Sequence, residues 1–365
     1  METRITRLLG CRYPVIQTAM GWIADAQLVA ATGRAGGFGF LAGAVMTPEE
    51  VQQGIAAIRE RTDAPFGVNF HMYVPHADRI VDICIAEQVR AVSYSRSPDA
   101  KTIERFKAAG VLCIPTVGAL KHAVRAVELG ADALVVQGSE GGGHTGQVAT
   151  SILLPQVREA VTVPLAAAGG FRDGKGLVAA LSLGADGVAM GTRFLLTQDS
   201  PVPVPTKRIY LGALPEQVVV SSALDGIPQR MVMNAQLKRL ISGSSIGLLF
   251  GAIKHAFALA RQTGSSPWLL LRSGWRMYRG GEESLATTLM SANAPMLIQE
   301  AVVHGRPESG ILPSGQVAGL IQDLPSVSDL IDKVMSEADA TLSRLQRIKD
   351  EASGLSEGES QPPPD

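Results

Sequence analysis

The chain has 365 residues, of which 46% are hydrophobic and 18% charged, so it can bury a large core and is not globally disordered. Its 33 basic and 34 acidic residues nearly cancel, to a formal net charge of -1, which argues against an overall field that binds nucleic acid. The length suits either two ordinary domains or one large α/β barrel, a fold that takes about 250 residues or more.

The three cysteines, Cys11, Cys84 and Cys113, lie far apart in the sequence. They are too few for a disulfide framework or a clustered zinc site, so we predict no metal centre and a reducing, cytoplasmic environment. No stretch reaches the roughly 18 consecutive apolar residues of a membrane span, and no leader pattern is visible. We therefore expect a soluble, unprocessed protein without a membrane partner.

Short apolar runs of strand length alternate along the chain with longer stretches of helical periodicity. An eightfold strand and helix repeat predicts a TIM (β/α)8 barrel. A doubly wound open sheet is the alternative, because it uses the same units and differs in strand order, which the sequence does not reveal. The eight predicted strands are Pro14–Gln17, Gly37–Leu41, Phe66–Phe70, Ala91–Tyr94, Val111–Pro115, Ala133–Gln137, Pro164–Ala168 and Gly187–Met190.

Signals for helix boundaries support this repeat. The segments Thr47–Glu50 and Ser97–Asp99 each supply a capping residue, a proline and acidic residues for a first helical turn. Gly110, Gly130 and Gly184 each follow a predicted helix where the chain must turn left-handed before the next strand.

After Met190 the repeat stops, and residues 201–310 begin with a proline-rich stretch followed by helical, basic and tryptophan-bearing stretches. We predict a mostly helical insertion or cap over the barrel mouth, with the barrel formed by residues 1–200 and 311–350.

The end of the barrel is predicted to be helical. A helix beginning at Ser314–Gln316 would bury Val317, Leu320 and Ile321, and Ser326 would cap a last helix that ends near residue 348. Residues 351–365 are rich in Ser, Glu, Gly and Pro, so we predict a disordered tail.

A glycine-rich loop, residues 137–146, follows the sixth predicted strand and carries His144. Barrel chemistry occurs at the carboxyl ends of the strands, where glycine lets the backbone approach a ligand closely. His144 is therefore a candidate catalytic group, and the alternative is a surface histidine on a loose turn.

The segments Ala168–Gly170 and Met190–Thr192 end the last two predicted strands. The loops after strands 7 and 8 form the common phosphate site of barrels, so we predict that a phosphate-bearing ligand lies across the mouth, opposite His144. The alternative is that these glycines only permit tight turns.

Two further strand ends carry candidate residues. Gln17–Trp22 includes the small residues and methionine expected where a flat ring lies against backbone, although core packing would explain them equally well. Asn69 and His71 could donate to a ring carbonyl or a ribityl hydroxyl, whereas Asn69 could instead bond a neighbouring strand.

Between residues 200 and 280 the sequence has ten basic residues but only two acidic ones, Glu216 and Asp225. Such a cap would attract an anion carrying several phosphates, such as a coenzyme A thioester, and Trp268, Trp275 and Tyr278 would offer apolar faces. The alternative is a solvated basic face with tryptophans in the core. The ten are Lys207, Arg208, Arg230, Lys238, Arg239, Lys254, Arg261, Arg272, Arg276 and Arg279.

Five ordered motifs make the chain resemble the FMN-dependent nitronate monooxygenase superfamily, which also contains flavin enoyl reductases and NADH:quinone reductases. They cover residues 10 to 200, and Ser314–Leu324 is similar to the closing helix of that family. The motifs are Pro14–Met20, Pro65–Asn69, Glu140–Gly146, Ala168–Phe171 and Met190–Leu195.

The resemblance implies a catalytic histidine at His144 and an FMN cofactor that exchanges electrons with a substrate or with NAD(P). It implies an FMN site formed by Ala19, Met20, Gly21, Asn69, His71, Gln137, Gly143, Ala168, Gly169, Gly170, Met190, Gly191 and Thr192.

The first motif departs from the pattern of many nitronate and quinone enzymes, since Thr18 and Ala19 stand where these often have Gly-Gly. The long basic cap and the segment Leu224–Pro228 are instead similar to flavin oxidoreductases of steroid-ring degradation. This implies dehydrogenation of a hydroxylated hydrindane carboxyl-CoA ester.

The other interpretations are nitronate oxidation by oxygen and NAD(P)H-dependent quinone or enoyl reduction. A colourless phosphosugar isomerase or lyase and a non-catalytic binding protein remain alternatives from other classes. The oligomeric state is open, and a homodimer is compatible with the sequence.

Overall fold

The structure is a computed structural model that describes residues 1–72, 76–94, 99–242 and 293–358. A parallel sheet forms its centre, and every predicted strand contains one strand of this sheet. The strands of the sheet are β1 (Val15–Gln17), β2 (Phe38–Leu41), β3 (Gly67–Asn69), β4 (Ala91–Ser93), β5 (Leu112–Cys113), β6 (Thr116–Val117), β7 (Leu134–Gln137), β9 (Leu165–Ala168) and β10 (Gly187–Met190).

The sheet closes on itself because its two end strands, β5 and β6, belong to one stretch of chain. Leu112 of β5 pairs with Ala91, and Thr116 of β6 pairs with Val135 on the opposite edge. Between them lies Pro115, which has no N–H to donate but whose carbonyl accepts from Val135 N at 2.9 Å. The prediction of a barrel is confirmed, and the open doubly wound sheet is ruled out.

Helices surround the barrel, and most of the predicted boundary signals are confirmed. Thr47 forms a complete capping box with Glu50. The helix after β4 is capped by Asp99, which we predicted in its first turn, and the predicted cap Ser97 lies outside the described residues. Gly110, Gly130 and Gly184 have φ of 74°, 101° and 93°, as a left-handed helix end requires. The helices are α1 (Arg4–Leu9), α2 (Ala26–Arg34), α3 (Pro48–Arg59), α4 (Ala77–Ala86), α5 (Ala100–Ala108), α6 (Leu120–Glu128), α7 (Thr150–Ala160) and α8 (Gly174–Ser182), with a 3-10 turn at Gly43–Val45.

The insertion after β10 contains strands as well as helices in its described part. Its strands β11 and β12 form an antiparallel sheet with β8 (Gly143–His144), which lies in the glycine-rich loop. The insertion is therefore attached directly to that loop, and residues 243–292 lie outside the described residues. Its elements are α9 (Thr192–Leu195), α10 (Val204–Leu211), a 3-10 turn at Pro215–Gln217, β11 (Val218–Ser221), β12 (Gln229–Val232), α11 (Ala235–Ser242) and α12 (Asn293–Val302).

The closing segment differs in two respects from the prediction. Gln316–Leu320 is a 3-10 turn, and Leu320 is 52% exposed although Val317 and Ile321 are buried. The turn ends at Leu320 and the backbone becomes extended at Ile321, so the α-helical spacing that would place Val317, Leu320 and Ile321 on one face is absent.

The last helix, α13 (Val327–Gly358), starts as predicted, with the Ser326 hydroxyl accepting from Asp329 N at 3.1 Å. It continues through residues 351–358, where we predicted disorder, and residues 359–365 lie outside the described part.

The three cysteines are free thiols. Burial raises the pKa of Cys11 to about 11 and that of Cys84 to about 12, so these thiols are poor nucleophiles. Within the described ranges, no helix combines the length and apolar character needed to cross a membrane.

An ion pair between a buried arginine and a half-exposed aspartate fastens the closing segment to the end of the barrel. Arg193, 4% exposed, follows β10 and donates to Asp323 Oδ1 at 2.5 Å and to the carbonyls of Leu196 and Asp323. Burial alone would raise the pKa of Asp323, but the cations of Arg193 and Lys333 hold it below its usual value. The carboxylate therefore stabilises the folded protein.

We expect Asp323→Asn to lower the free energy of unfolding by about 1–3 kcal/mol at pH 7, because Arg193 loses its counter-charge. Solvent screens the half-exposed carboxylate, which keeps the loss below that of a fully buried pair. Since the folded pKa is depressed, the contribution exists above the unfolded pKa of about 3.9 and disappears as the pH falls below it.

Denaturant unfolding of the wild type and the variant at several pH values measures this difference. Asp332→Asn, at an exposed position of the same closing region, is the matched control and should change little at any pH. An effect of Asp323→Asn that stays constant down to pH 3 would contradict the assignment.

Candidate active site

The carboxyl ends of four neighbouring strands bring most predicted site residues together. Gln17 pairs with Met190, and Ala168 pairs with both Ala189 and Gln137. The segments that follow β1, β7, β9 and β10 therefore lie side by side at one rim of the barrel. They carry Ala19, Met20, Gly21, Gln137, Ala168, Gly169, Gly170, Met190, Gly191 and Thr192.

The turn after β9 requires glycine at two successive positions. Gly169 and Gly170 have φ of 96° and 84°, in the left-handed region that side chains rarely adopt. A Cβ at Gly169 would lie 3.1 Å from both Gly141 N and Thr150 Oγ1. At Gly170 the nearest atom would be Glu140 Cβ at 3.6 Å. The turn thus packs its backbone against the glycine-rich loop on one side and is more open at Gly170.

The segment after β10 makes similarly close contacts. A Cβ at Gly191 would lie 3.0 Å from Thr18 Oγ1 and 3.5 Å from Met20 Sδ, so the ends of β1 and β10 approach closely. The Thr192 hydroxyl accepts from Gly315 N at 2.8 Å.

The closing segment therefore reaches this rim, which we did not predict. Gln316 N donates to the Glu140 carbonyl at 2.9 Å, which fixes Gly315 between the glycine-rich loop and Thr192. The glycine in Ser314–Gln316 was the one sequence signal that could have indicated this role.

The loop after β1 contains a backbone outlier. Trp22 has φ of 60°, a conformation that is rare for a bulky residue and costs on the order of 1–3 kcal/mol. The Met20 carbonyl accepts from Ile23 N at 3.0 Å and from Ala24 N at 2.9 Å, and these bonds hold the turn. The surrounding structure thus fixes Ala19, Met20 and Gly21 in one geometry at the rim.

Asn69 and His71 lie apart from this group, because β2 separates their strand, β3, from β1. Asn69 Nδ2 donates to the Ser93 carbonyl of the neighbouring strand at 3.0 Å. This is the bond to a neighbouring strand that the sequence allowed as the alternative to a ligand contact of Asn69. His71 is half-buried two residues beyond the end of β3.

His144 is held in place although its side chain is 58% exposed. Its Nε2 lies 2.9 Å from Asp225 Oδ2, and Gln137 Nε2 donates to its carbonyl at 2.9 Å. Backbone pairing of β8 with β12 sets His144 opposite Gln229 and Gly143 opposite Arg230. The histidine therefore lies on a paired strand, not on a loose turn.

Asp225 was missed as a site residue by sequence reasoning. It lies 81 positions from His144 in the sequence. It was included only in the segment Leu224–Pro228, which resembles flavin oxidoreductases of steroid-ring degradation, and no chemistry was assigned to its carboxylate. A carboxylate that accepts from one imidazole nitrogen leaves the other available for proton transfer. The His144 and Asp225 pair can therefore work as an oriented general acid or base.

Two of the ten basic residues of the predicted cap bond backbone carbonyls within the fold. Lys207 is buried and donates to the Thr197 carbonyl at 2.7 Å and the Ser200 carbonyl at 2.8 Å. Arg230 donates to the Ser139 and Val218 carbonyls, both at 2.9 Å, which fastens the glycine-rich loop.

Three other basic residues of the insertion are exposed, namely Arg208, Lys238 and Arg239. The predicted contributions of Lys254, Arg261, Trp268, Arg272, Trp275, Arg276, Tyr278 and Arg279 lie outside the described residues.

Comparison with known proteins identifies relatives of this chain along nearly its whole length. A family model described as nitronate monooxygenase matches residues 2–80 and 72–337. Two curated relatives carry the name (3aS,4S,5R,7aS)-5-hydroxy-7a-methyl-1-oxo-octahydro-1H-indene-4-carboxyl-CoA dehydrogenase. The protein from Rhodococcus jostii is 44% identical, over 96% of this chain and 99% of its own. That from Mycobacterium tuberculosis is 46% identical, over 93% of this chain and 96% of its own.

Among solved structures, FabK from Thermotoga maritima superimposes with a TM-score of 0.78 and 31% identity, over 95% of this chain and 99% of its own. Similarity to known flavin enzymes in both sequence and structure thus accompanies the features described above, namely the barrel, the rim of strand-end loops and the histidine on the glycine-rich loop. The chain belongs to the nitronate monooxygenase family and is a flavin-dependent oxidoreductase.

Proposed function

We propose that this enzyme is an FMN-dependent dehydrogenase that oxidises the ring hydroxyl of a hydrindane carboxyl-CoA ester. The observation that carries this proposal is the extent of similarity to the dehydrogenase-named relatives, which covers 96% and 93% of this chain. Alignments of that extent must include most of the insertion, and the insertion supplies Asp225 to the candidate catalytic histidine.

The residues at the rim fit the phosphate end of FMN. Gly169 and Gly170 form a turn with positive φ, in which Gly170 has a wider clearance than Gly169 because the Glu140 side chain would lie 3.6 Å from an added Cβ, and backbone amides in such turns bind anions. Gly191 and Thr192 follow the adjacent strand and would contribute to the same phosphate site. We assign the flavin ring to the neighbourhood of Ala19, Met20, Gly21, Gln137, Gly143, Ala168 and Met190, and Asn69 and His71 would approach it from β3, which β2 separates from β1.

The protein would supply orientation and proton transfer, while a bound flavin supplies hydride transfer. When the substrate hydroxyl is oxidised, its carbon loses a hydride and its oxygen loses a proton. We assign that proton to His144, because an imidazole is the side chain best suited to proton exchange near neutral pH. In the reverse direction, His144 would return the proton to the oxygen.

A CoA ester brings several negative charges to the enzyme. The exposed residues Arg208, Lys238 and Arg239 of the insertion could attract them, because a local positive field raises the encounter rate of an anion. NAD(P) as electron partner and a homodimeric state remain predictions, as does the cytoplasmic location.

Nitronate oxidation by oxygen is the second candidate, favoured by the family model itself. Its substrates are small and lack phosphate groups, so they would not need the exposed cations of the insertion.

Anaerobic mixing of the yellow enzyme with a panel of CoA esters separates these functions. We expect loss of the visible flavin absorbance with a hydroxylated hydrindane carboxyl-CoA and none with the free acid. Oxygen consumption with an alkyl nitronate at a comparable rate would instead favour the monooxygenase. A purified protein without visible absorbance would refute both.

Gly169→Ala should weaken flavin binding by about tenfold or more, which corresponds to about 1.4 kcal/mol. The new Cβ would be strained at φ 96° and would displace Gly141 or Thr150. The ratio of flavin to protein after dialysis measures the effect, and release by denaturation followed by mass spectrometry tests that the cofactor is FMN.

The matched control is Gly110→Ala, which has φ of 74° and nothing within 4 Å of the new Cβ. Gly110 precedes β5, at the amino end of the barrel, so this variant should lose stability but keep its flavin. Equal flavin loss in both variants would argue against a specific role for Gly169.

His144→Ala should keep its flavin and lose about 10²–10⁴ in turnover, because proton transfer loses its positioned group. Steady-state rates at saturating substrate measure this, and His122→Ala, on the exposed face of α6, is the control. Unchanged turnover would remove His144 from the mechanism.

A further inference from the structure

The carboxylate of Asp225 is almost fully occupied by donors from this chain. Its side chain is 5% exposed. Oδ1 accepts from Ile227 N at 3.1 Å, and Oδ2 accepts from Gln229 Nε2 and lies 2.9 Å from His144 Nε2. An ionised carboxylate has only acceptors, so this arrangement requires the His144 nitrogen facing it to carry a proton.

The turn that presents Asp225 is anchored on both sides. Leu224 is fully buried, Gly226 has φ of 86°, and the chain then enters β12 at Gln229, which pairs with His144. Asp225 and His144 are thus fixed by the same pair of strands, which leaves the carboxylate little freedom to move away.

We propose that Asp225 is a positioning residue that holds neutral His144 with its proton on Nε2, so that Nδ1 is the atom that exchanges a proton with the substrate oxygen. The role in turnover rests on the function proposed above, but the proton position is a property of the protein alone. The Asp225 carboxylate would also stabilise the imidazolium that forms when Nδ1 takes the proton.

The hydrogen bonds predict what an amide at this position would do. In Asp225→Asn the amide oxygen is needed at the Oδ1 position, because Ile227 N is a backbone donor that cannot turn away, whereas the side-chain amide of Gln229 can flip and present its Oε1 to the Oδ2 position. The NH2 group then occupies the Oδ2 position and donates towards His144 Nε2, which must become an acceptor. The proton of neutral His144 would move to Nδ1, the wrong nitrogen for exchange.

Nitrogen NMR of histidine-labelled enzyme tests this without substrate. At about pH 9, where histidine is normally neutral, we expect the protonated nitrogen of His144 to be Nε2 in the wild type and Nδ1 in Asp225→Asn. His144→Ala identifies the signal. A proton on Nδ1 in the wild type, or no change in the variant, would overturn the proposal whatever the substrate is.

Kinetics test the consequence for turnover. Asp225→Asn should lower kcat by about tenfold to 10³-fold with KM and flavin content nearly unchanged, and Asp225→Glu should recover part of the loss. In a His144→Ala background Asp225→Asn should cost nothing further, because the two residues act as a unit.

Asp186→Asn is the matched control, since Asp186 is 13% exposed but its Oδ2 accepts from Leu165 N at the other end of the barrel.

Independent losses that multiply in the double variant of Asp225 and His144 would overturn the assignment of Asp225 to His144. If no CoA ester reacts with the wild type while the NMR result holds, the proposed substrate fails and the proton assignment stands.

Discussion

Pairing between two short strands, β8 and β12, is the constraint on which the candidate site depends. A glycine-rich loop has little intrinsic preference for one conformation, and His144 at its tip would sample many orientations without a partner. The strand that fixes it comes from the insertion after the barrel, which also brings Asp225 and Arg230 to the same loop. The insertion is therefore part of the site and not only a cover over it.

The closed sheet sets the remaining geometry. Parallel strands in register place the segments after β1, β7, β9 and β10 next to one another, whatever their separation in the chain. The absence of a Cβ at Gly169 then lets its backbone lie close to Gly141 N, and the absence of one at Gly191 leaves room for the Thr18 hydroxyl. The barrel thus positions the loops of the candidate site, and the glycines leave their backbone accessible to a ligand.

Local patterns in the sequence were sufficient for the barrel. Apolar runs, capping residues and left-handed glycines each report on a few consecutive residues, so all eight predicted strands and the Thr47 cap were confirmed. The separation of β5 from β6 around Pro115 and the exposure of Leu320 were not predicted. Both depend on the backbone conformation where one element ends and the next begins, which hydrophobic periodicity does not encode.

Contacts between distant residues could not be derived in this way. Asp225 was missed because its partner is 81 positions away, and Gly315 because its contact with Thr192 crosses the whole insertion. Lys207 and Arg230 look like surface cations in the sequence, but the fold turns both towards backbone carbonyls. Site residues that lie within a single loop could thus be predicted from the sequence. Contacts between two distant segments could not.

The distance along the chain between β8 and its partner has a consequence for synthesis on the ribosome. The barrel sheet can close once Met190 has emerged, but His144 acquires its neighbouring strand only after Val232, and the loop gains its contact with Gln316 later still. A nascent chain would therefore carry a nearly complete barrel before its reactive imidazole is oriented.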